Sequence, residues 1–299
     1  MDENLSTIKQ NKKIANSILV FLYSILFIVG ISYFLLSSPS SKDNIIHISY
    51  SESLSSVSTE LENKGIIRND FLLKVFVYLF KSNGGIVDGD YLIKKNSPVY
   101  RVAWQIARGK HNIEPIKVTL REGLTNEEMA DIFAQKLAGF KKDLFLSVVN
   151  GKQGYLFPDT YFFFPLTTID EIVNKLSSNF NNKIKILKLE NENNLGDIII
   201  MASILEGEAS SDKDAPIISG ILWKRLKIGM PLQVDVDSNT YKEKGLPEKP
   251  LCNPGLVFIK AALNPVDSSY LYYLHDKEGD VHYAKNFEEH KINIKKYLK

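Results

Sequence analysis

The run Ile198-Ile199-Ile200-Met201-Ala202-Ser203-Ile204-Leu205-Glu206-Gly207-Glu208-Ala209 decides how this sequence is read. From Ile198 to Leu205 only Ser203 is polar, so the run carries no periodicity of its own. Its length and the Glu-Gly-Glu that follows favour a buried helix over a strand. Gly196-Asp197 reads as the helix start, with Asp197 capping free backbone N–H groups. On such a helix Glu206 shares a face with Ala202 and Ser203. It then sits at the mouth of an apolar environment, near the negative end of the helix dipole. Burial and that dipole both disfavour the carboxylate, so a raised pKa is expected. A glutamate that keeps its proton near neutral pH suits general-acid work, such as protonating the leaving oxygen of a glycosidic bond. The plainer reading, also open, is an exposed last-turn glutamate or an ion pair with Lys224 or Arg225. Glu208, two positions on, faces away and is the weaker candidate.

Downstream, Ala215 to Ile228 reads as a second helix with Pro216 in its first turn, where proline is tolerated. Met230 to Asp235 leaves it as a polar loop. Lys244-Gly245-Leu246-Pro247 and Cys252-Asn253-Pro254-Gly255 punctuate loops ahead of a helix-like Leu256 to Leu263. Tyr270 to Leu274 alternates like a strand, and Asp280 to Tyr283 pairs with it as a hairpin around Lys277-Glu278-Gly279. His282 reads as structural or as a substrate contact. The single cysteine, Cys252, excludes an internal disulfide and reads as a packing residue. No His/Cys spacing of a zinc site is present, so no metal is expected.

Upstream, Ile169 to Glu192 has helical apolar spacing with a charged face, and the lysines from Lys183 to Lys188 fit a solvated surface. Gly154 to Pro165 packs aromatics between prolines, which suits a rigid extended wall. Each of its rings reads equally as a sugar-stacking surface or as core. A strand-helix pattern occurs twice, at Ile48 to Ser55 and at Val118 to Thr125. Glu52 matches Glu122, Leu54 matches Leu124 and Ser55 matches Thr125. Thr125 and Glu128 have capping-box spacing, and Asp88 to Ile93 looks like a turn entering a strand.

Ile14 to Leu36 carries no charged side chain. About 20 such residues, rising 1.5 Å each, cross a hydrocarbon core of roughly 30 Å. A signal peptide usually has a shorter apolar stretch, about 7–15 residues, although Ser37 to Ser41 leaves cleavage as the rival reading. Lys9, Lys12 and Lys13 place the N-terminus in the cytoplasm and the rest outside. With 44% apolar and 24% charged residues the chain is an ordinary folded protein, and a net charge of +2 calls for no nucleic-acid partner.

These residues together resemble a known family. Gly154 to Tyr161, Ala202 to Ala209, Leu232-Gln233-Val234-Asp235, Asn239-Thr240-Tyr241, Gly245-Leu246-Pro247, Asn253-Pro254-Gly255 and Tyr272 to His290 look like the motifs of the endolytic murein transglycosylases, the YceG-like proteins. The region before them resembles the sugar-binding LysM type, with a plain spacer as the alternative. The expected fold class is α+β: a single N-terminal transmembrane helix, a small LysM-like α+β domain, then a mixed α/β catalytic domain. The expected boundaries are 1–13 for a cytoplasmic tail, 14–36 for the membrane helix and 37–44 for a linker. The LysM-like region takes 45–150 and the YceG-like catalytic domain 151–299.

The resemblance implies Glu206 as the single catalytic acid/base and no cofactor. It implies cleavage between N-acetylmuramic acid and N-acetylglucosamine within nascent glycan strands, leaving 1,6-anhydro ends. Tyr155, Asp159, Tyr161, Gln233, Asp235 and Asn253 are its substrate-cleft positions. The implied partners are peptidoglycan glycan strands, the cytoplasmic membrane and peptidoglycan synthases. The chain departs from the family at Gln153, where a glutamate is usual, and in a shortened segment between Asp235 and Asn239. A catalytically silent glycan-binding scaffold and a hydrolase using Glu206 with Asp235 are the alternatives.

Overall fold

The computed structural model describes residues 2–81, 85–190, 192–209 and 211–298. It is a mixed α+β structure. The N-terminal helix α1 (Asp2–Leu36) contains the stretch Asn16–Phe34, long and apolar enough to cross a membrane, with none of it buried inside the protein. The chain forms two compact units that divide between Glu114 and Pro115, with α1 belonging to the first.

In the first unit, β1 (Asn44–Ile48) precedes α2 (Leu54–Asn63) and α3 (Asp70–Phe80). The unit closes with β2 (Gly89–Ile93) and α4 (Val99–Arg108). The two strands pair antiparallel, Asn44 opposite Ile93 and Ile48 opposite Gly89. Ser53 and Asn69 cap α2 and α3 by accepting from backbone N–H groups. The apolar faces meet in a core that includes Ile46, Ile48, Leu61, Leu73, Val77, Tyr91 and Ile106. Inside it, buried Asp90 bonds His47 at 2.6 Å.

The second unit opens with β3 (Ile116–Thr119), α5 (Asn126–Lys136) and α6 (Lys142–Val148). Then come β4 (Thr160–Phe163), α7 (Ile169–Ile186), α8 (Leu195–Glu208) and α9 (Ala215–Lys227). A short 3-10 turn at Ser238–Tyr241 leads to α10 (Leu256–Leu263), the hairpin β5 (Tyr272–His275) and β6 (Val281–Ala284), and α11 (Phe287–Tyr297).

Residues 115–150, grouped with the preceding region by sequence pattern, lie in this second unit. The reason is strand pairing: β3 finds its partner in β4, with Ile116 opposite Phe163 and Thr119 opposite Thr160. The capping box at Thr125 and Glu128 forms as expected, and Thr168 with Glu171 forms another on α7.

Two apolar clusters fill this unit. One joins β3, β4, α5, α6 and α7, with Phe133, Phe145, Leu156, Tyr161 and Phe163 at its centre. The other wraps α8, whose residues from Ile198 to Leu205 are all buried. It also takes residues of α9 and α10, among them Ile218, Leu222 and Ile259. A helix buried all round is the physical reason its sequence shows no apolar stripe. The helix starts earlier than the sequence suggested. Asn194 is the N-cap and Asp197 lies in the first turn, where its charge complements the helix N-terminus without a capping bond.

Candidate active site

Glu206 is half-buried in the last turn of α8, one turn beyond buried Ala202 and Ser203. Neither cation proposed for an ion pair reaches it. Lys224 bonds the Ser268 carbonyl and Asp267, while buried Arg225 donates to the carbonyls of Leu271 and Leu232. The Oε2 of Glu206 instead accepts from the backbone N–H of Gly255 at 2.7 Å, at the N-cap of α10. Burial pushes its pKa up to about 7, opposed by the Gly255 hydrogen bond and assisted by the negative charge of Glu122. A carboxyl group poised there can give a proton near neutral pH and take one back.

The loop that brings Gly255 to Glu206 is tied to α8 itself. Ser203 Oγ accepts from Leu251 N–H at 2.9 Å and donates to the Ile200 carbonyl. Cys252, next in the chain, is buried and its thiol is pushed up to about 12, mainly by desolvation. It packs rather than reacts, as the sequence suggested.

Asn253 is fully buried, and its side chain joins three segments. Its Oδ1 accepts from Gly154 N–H at 2.9 Å and Leu156 N–H at 3.1 Å. Its Nδ2 donates to the Leu124 carbonyl and Asn126 Oδ1, both at 3.0 Å. A residue so occupied braces the site, its side-chain amide engaged by groups inside the protein. Beside it, Gln153 donates to the carbonyls of Pro250 and Leu251 and accepts from Asn126 N–H. Its amide supplies two donors there that an ionised glutamate lacks.

Tyr161 is also a brace. It is buried, donates to the Phe157 carbonyl at 2.6 Å and accepts from Asn179. Desolvation pushes its hydroxyl up to about 12. Tyr155 is half-buried and meets Phe180 edge-on, 5.3 Å between ring centroids. Asp159 is exposed, its carboxylate accepting from Asn179 Nδ2 and Thr160 N–H. The aromatic segment is thus mostly core. Its side chains turn largely to α7, while the N–H groups of Gly154 and Leu156 go to Asn253.

Gln233 and Asp235 line a cavity of about 520 Å³ together with Glu208, Arg225, Tyr241 and Tyr272. Asp235 accepts from the Tyr241 hydroxyl at 2.5 Å. Glu208 faces this side, accepting from the N–H groups of Asp235 and Val236 and from the Tyr273 hydroxyl. It therefore fastens the loop at Asp235 and Val236 to the end of α8. Val236 closes over Gly207, where a Cβ would lie 2.3 Å from its Cγ1.

Gln233 holds a left-handed backbone, φ 52°, that costs a side-chain-bearing residue energy and that glycine adopts freely. Gln233→Gly should therefore raise stability by about 0.5–1 kcal/mol, read as an upward shift in thermal unfolding. His282 takes the structural role, bonding Asp276 at 2.7 Å and stacking on Tyr297.

Sequence reasoning missed Glu122 and the two glycines beside the carboxylates. Gly123, at φ 81°, lies against Glu206, where an added Cβ would be 3.2 Å from its Cγ. Gly255 lies against Glu122, where a Cβ would be 2.0 Å from the carboxyl carbon. The one available signal was that Glu122-Gly123 sits in the repeated strand-helix pattern, which read as architecture.

An apolar helix ending in one proton-holding glutamate, set in an α+β frame, suits acid/base chemistry. The chain belongs to the YceG-like family, whose profile matches residues 46–296. A relative from Bacillus subtilis (strain 168), named endolytic murein transglycosylase, is 26% identical, with 85% of this chain and 84% of that protein covered. One of the same name from Streptococcus pneumoniae (strain R6) is 24% identical over 81% of this chain, which spans 56% of that protein's length. The crystal structure of a YceG-like protein from Listeria monocytogenes superposes with a TM-score of 0.54 at 26% identity. That match covers 85% of this chain and 99% of the other.

Proposed function

We propose that this protein is a membrane-anchored lytic transglycosylase that cuts murein glycan strands internally, between N-acetylmuramic acid and N-acetylglucosamine. The observation that carries the reading is Glu206, half-buried and holding its proton to about pH 7 in a chain of the YceG-like family. In the proposed reaction Glu206 gives its proton to the glycosidic oxygen as the bond to the muramic anomeric carbon breaks. The C6 hydroxyl of the same muramic residue bonds to that carbon and passes its proton to the Glu206 carboxylate. A 1,6-anhydro end results and the enzyme returns to its starting protonation.

The apolar stretch Asn16–Phe34 supports anchoring in the cytoplasmic membrane. Lys9, Lys12 and Lys13 before it support an inward N-terminus and an external catalytic unit. The first unit serves as a LysM-like glycan holder, and neighbouring peptidoglycan synthases supply the nascent strand. Gln233, Asp235 and Tyr155 contribute to the cleft.

The test is mass spectrometry of muropeptides released from isolated glycan strands by the full-length protein in detergent. Anhydro-ended products are expected. Reducing ends would replace this reading with hydrolysis, and glycan binding without products would replace it with a scaffold.

A further inference from the structure

We propose that Glu122 is a second, substrate-facing carboxylate of this site, an anion that stabilises the positive charge developing on the sugar as the glycosidic bond breaks. The inference rests on the reading of Glu206 as the acid of a glycosidic cleavage.

Its ground is geometric. The carboxyl group of Glu122 occupies the space that a side chain at position 255 would fill, its atoms 2.0 to 2.4 Å from an ideal Cβ there. The N–H of that same Gly255 donates to Glu206. The residue after Glu122, Gly123, lies in turn against the Glu206 side chain. Two carboxylates from distant parts of the chain therefore meet at one glycine.

The backbone that presents Glu122 is fixed on both sides. Leu120 N–H donates to the Asp159 carbonyl, Gly123 N–H to the Asn253 carbonyl, and Asn253 N–H to the Leu124 carbonyl. Yet the carboxylate itself is exposed, and among the described residues no cation or hydrogen-bond donor holds it. An acid kept for the fold would gain from a partner. One kept unpaired beside a catalytic acid is available to a ligand.

The electrostatics divide the two roles. Like charges this close do not ionise together cheaply. The negative charge of Glu122 adds to burial in disfavouring a charge on Glu206, so half-buried Glu206 keeps the proton. The remaining groups around Glu206 do not compete. Glu208 on the same helix turns to the N–H groups of Asp235 and Val236, Asp235 is held by Tyr241, and Cys252 stays a neutral thiol. Glu128 on α5 is engaged by its own capping box, and Lys260 on α10 is exposed. Glu122 forms no bond to the sugar. Its contribution is an oriented negative charge, present before the bond breaks.

The experiment compares the full-length protein with its Glu122→Gln, Glu122→Asp and Glu206→Gln variants on isolated glycan strands in detergent. kcat, KM, product ends and the pH profile are read, with thermal unfolding as the folding control. Glu122→Gln should lower kcat about 100-fold while KM stays near wild type and the products remain anhydro-ended. Its alkaline limb should move to lower pH, because Glu206 loses a repelling neighbour. Glu122→Asp should recover part of kcat. Wild-type kcat and pH profile in Glu122→Gln would overturn the proposal. So would a loss that appears in KM or in melting temperature with the alkaline limb in place. An active Glu206→Gln would instead sink the underlying reading of the site.

Discussion

Glu206→Gln is expected to reduce turnover of glycan strands by about 10³-fold while raising the stability of the protein above neutral pH. The two effects share one cause. The folded chain holds the Glu206 proton to about pH 7, whereas an unfolded chain releases it near 4.5. Across that window the folded state binds more protons, so its stability falls as pH rises through it. Glutamine carries no charge to desolvate, and its carbonyl can still accept from Gly255. The variant's melting temperature should therefore exceed that of wild type at about pH 8 and approach it at about pH 4. Wild-type activity should fall on the alkaline side as Glu206 loses its proton. Thermal unfolding across pH, run beside the product assay, checks both halves. A variant that is inactive and less stable at alkaline pH would mean that Glu206 is an ordinary structural acid.

Asn253→Ala should cost about 3–5 kcal/mol of folding stability, a large part of the total for a typical domain. Alanine removes the acceptor for the Gly154 and Leu156 N–H groups and the donor to Leu124 and Asn126. All of these lie in a buried setting, and an orphaned buried polar group costs more than a hydrogen bond gains. Asn253→Asp should be comparably harmful, since a carboxylate oxygen would then face two acceptors. Urea denaturation of the full-length protein in detergent measures the loss. A change under about 1 kcal/mol would show that water replaces the side chain and that the three segments hold without it. Activity should fall with stability here, because Asn253 and Gly255 belong to one loop and Gly255 positions the Glu206 proton.

Much of the frame was legible from residue types alone. The hairpin around Lys277-Glu278-Gly279, the proline-started α9, the helix Leu256–Leu263 and the Thr125–Glu128 capping box all follow from short-range signals. The candidate acid was legible too, because the length of the apolar run and the Glu-Gly-Glu after it favoured a buried helix with Glu206 at its end. Other positions could not be assigned this way. Tyr161 and Asn253 carry polar groups that serve equally well in a cleft or in a core, and only their neighbours decide. Both neighbourhoods are internal. Likewise, the stretch Val118 to Thr125 looked like a repeat of Ile48 to Ser55, but the strand that enters it pairs with the segment beyond α6.

What the sequence by itself determined is therefore local: which stretches coil, turn or extend, which helix is apolar enough for a membrane, and which glutamate a buried helix would deliver to its end. Periodicity, capping and chain stiffness act over a few residues and leave their mark in order along the chain. Tertiary structure alone decided what surrounds that glutamate. Gly255 reaches Glu206 from 49 residues away, and Asn253 reaches Leu124 from 129. The proton on Glu206 is held by desolvation and by the charge of Glu122, and both arise only when distant segments pack together.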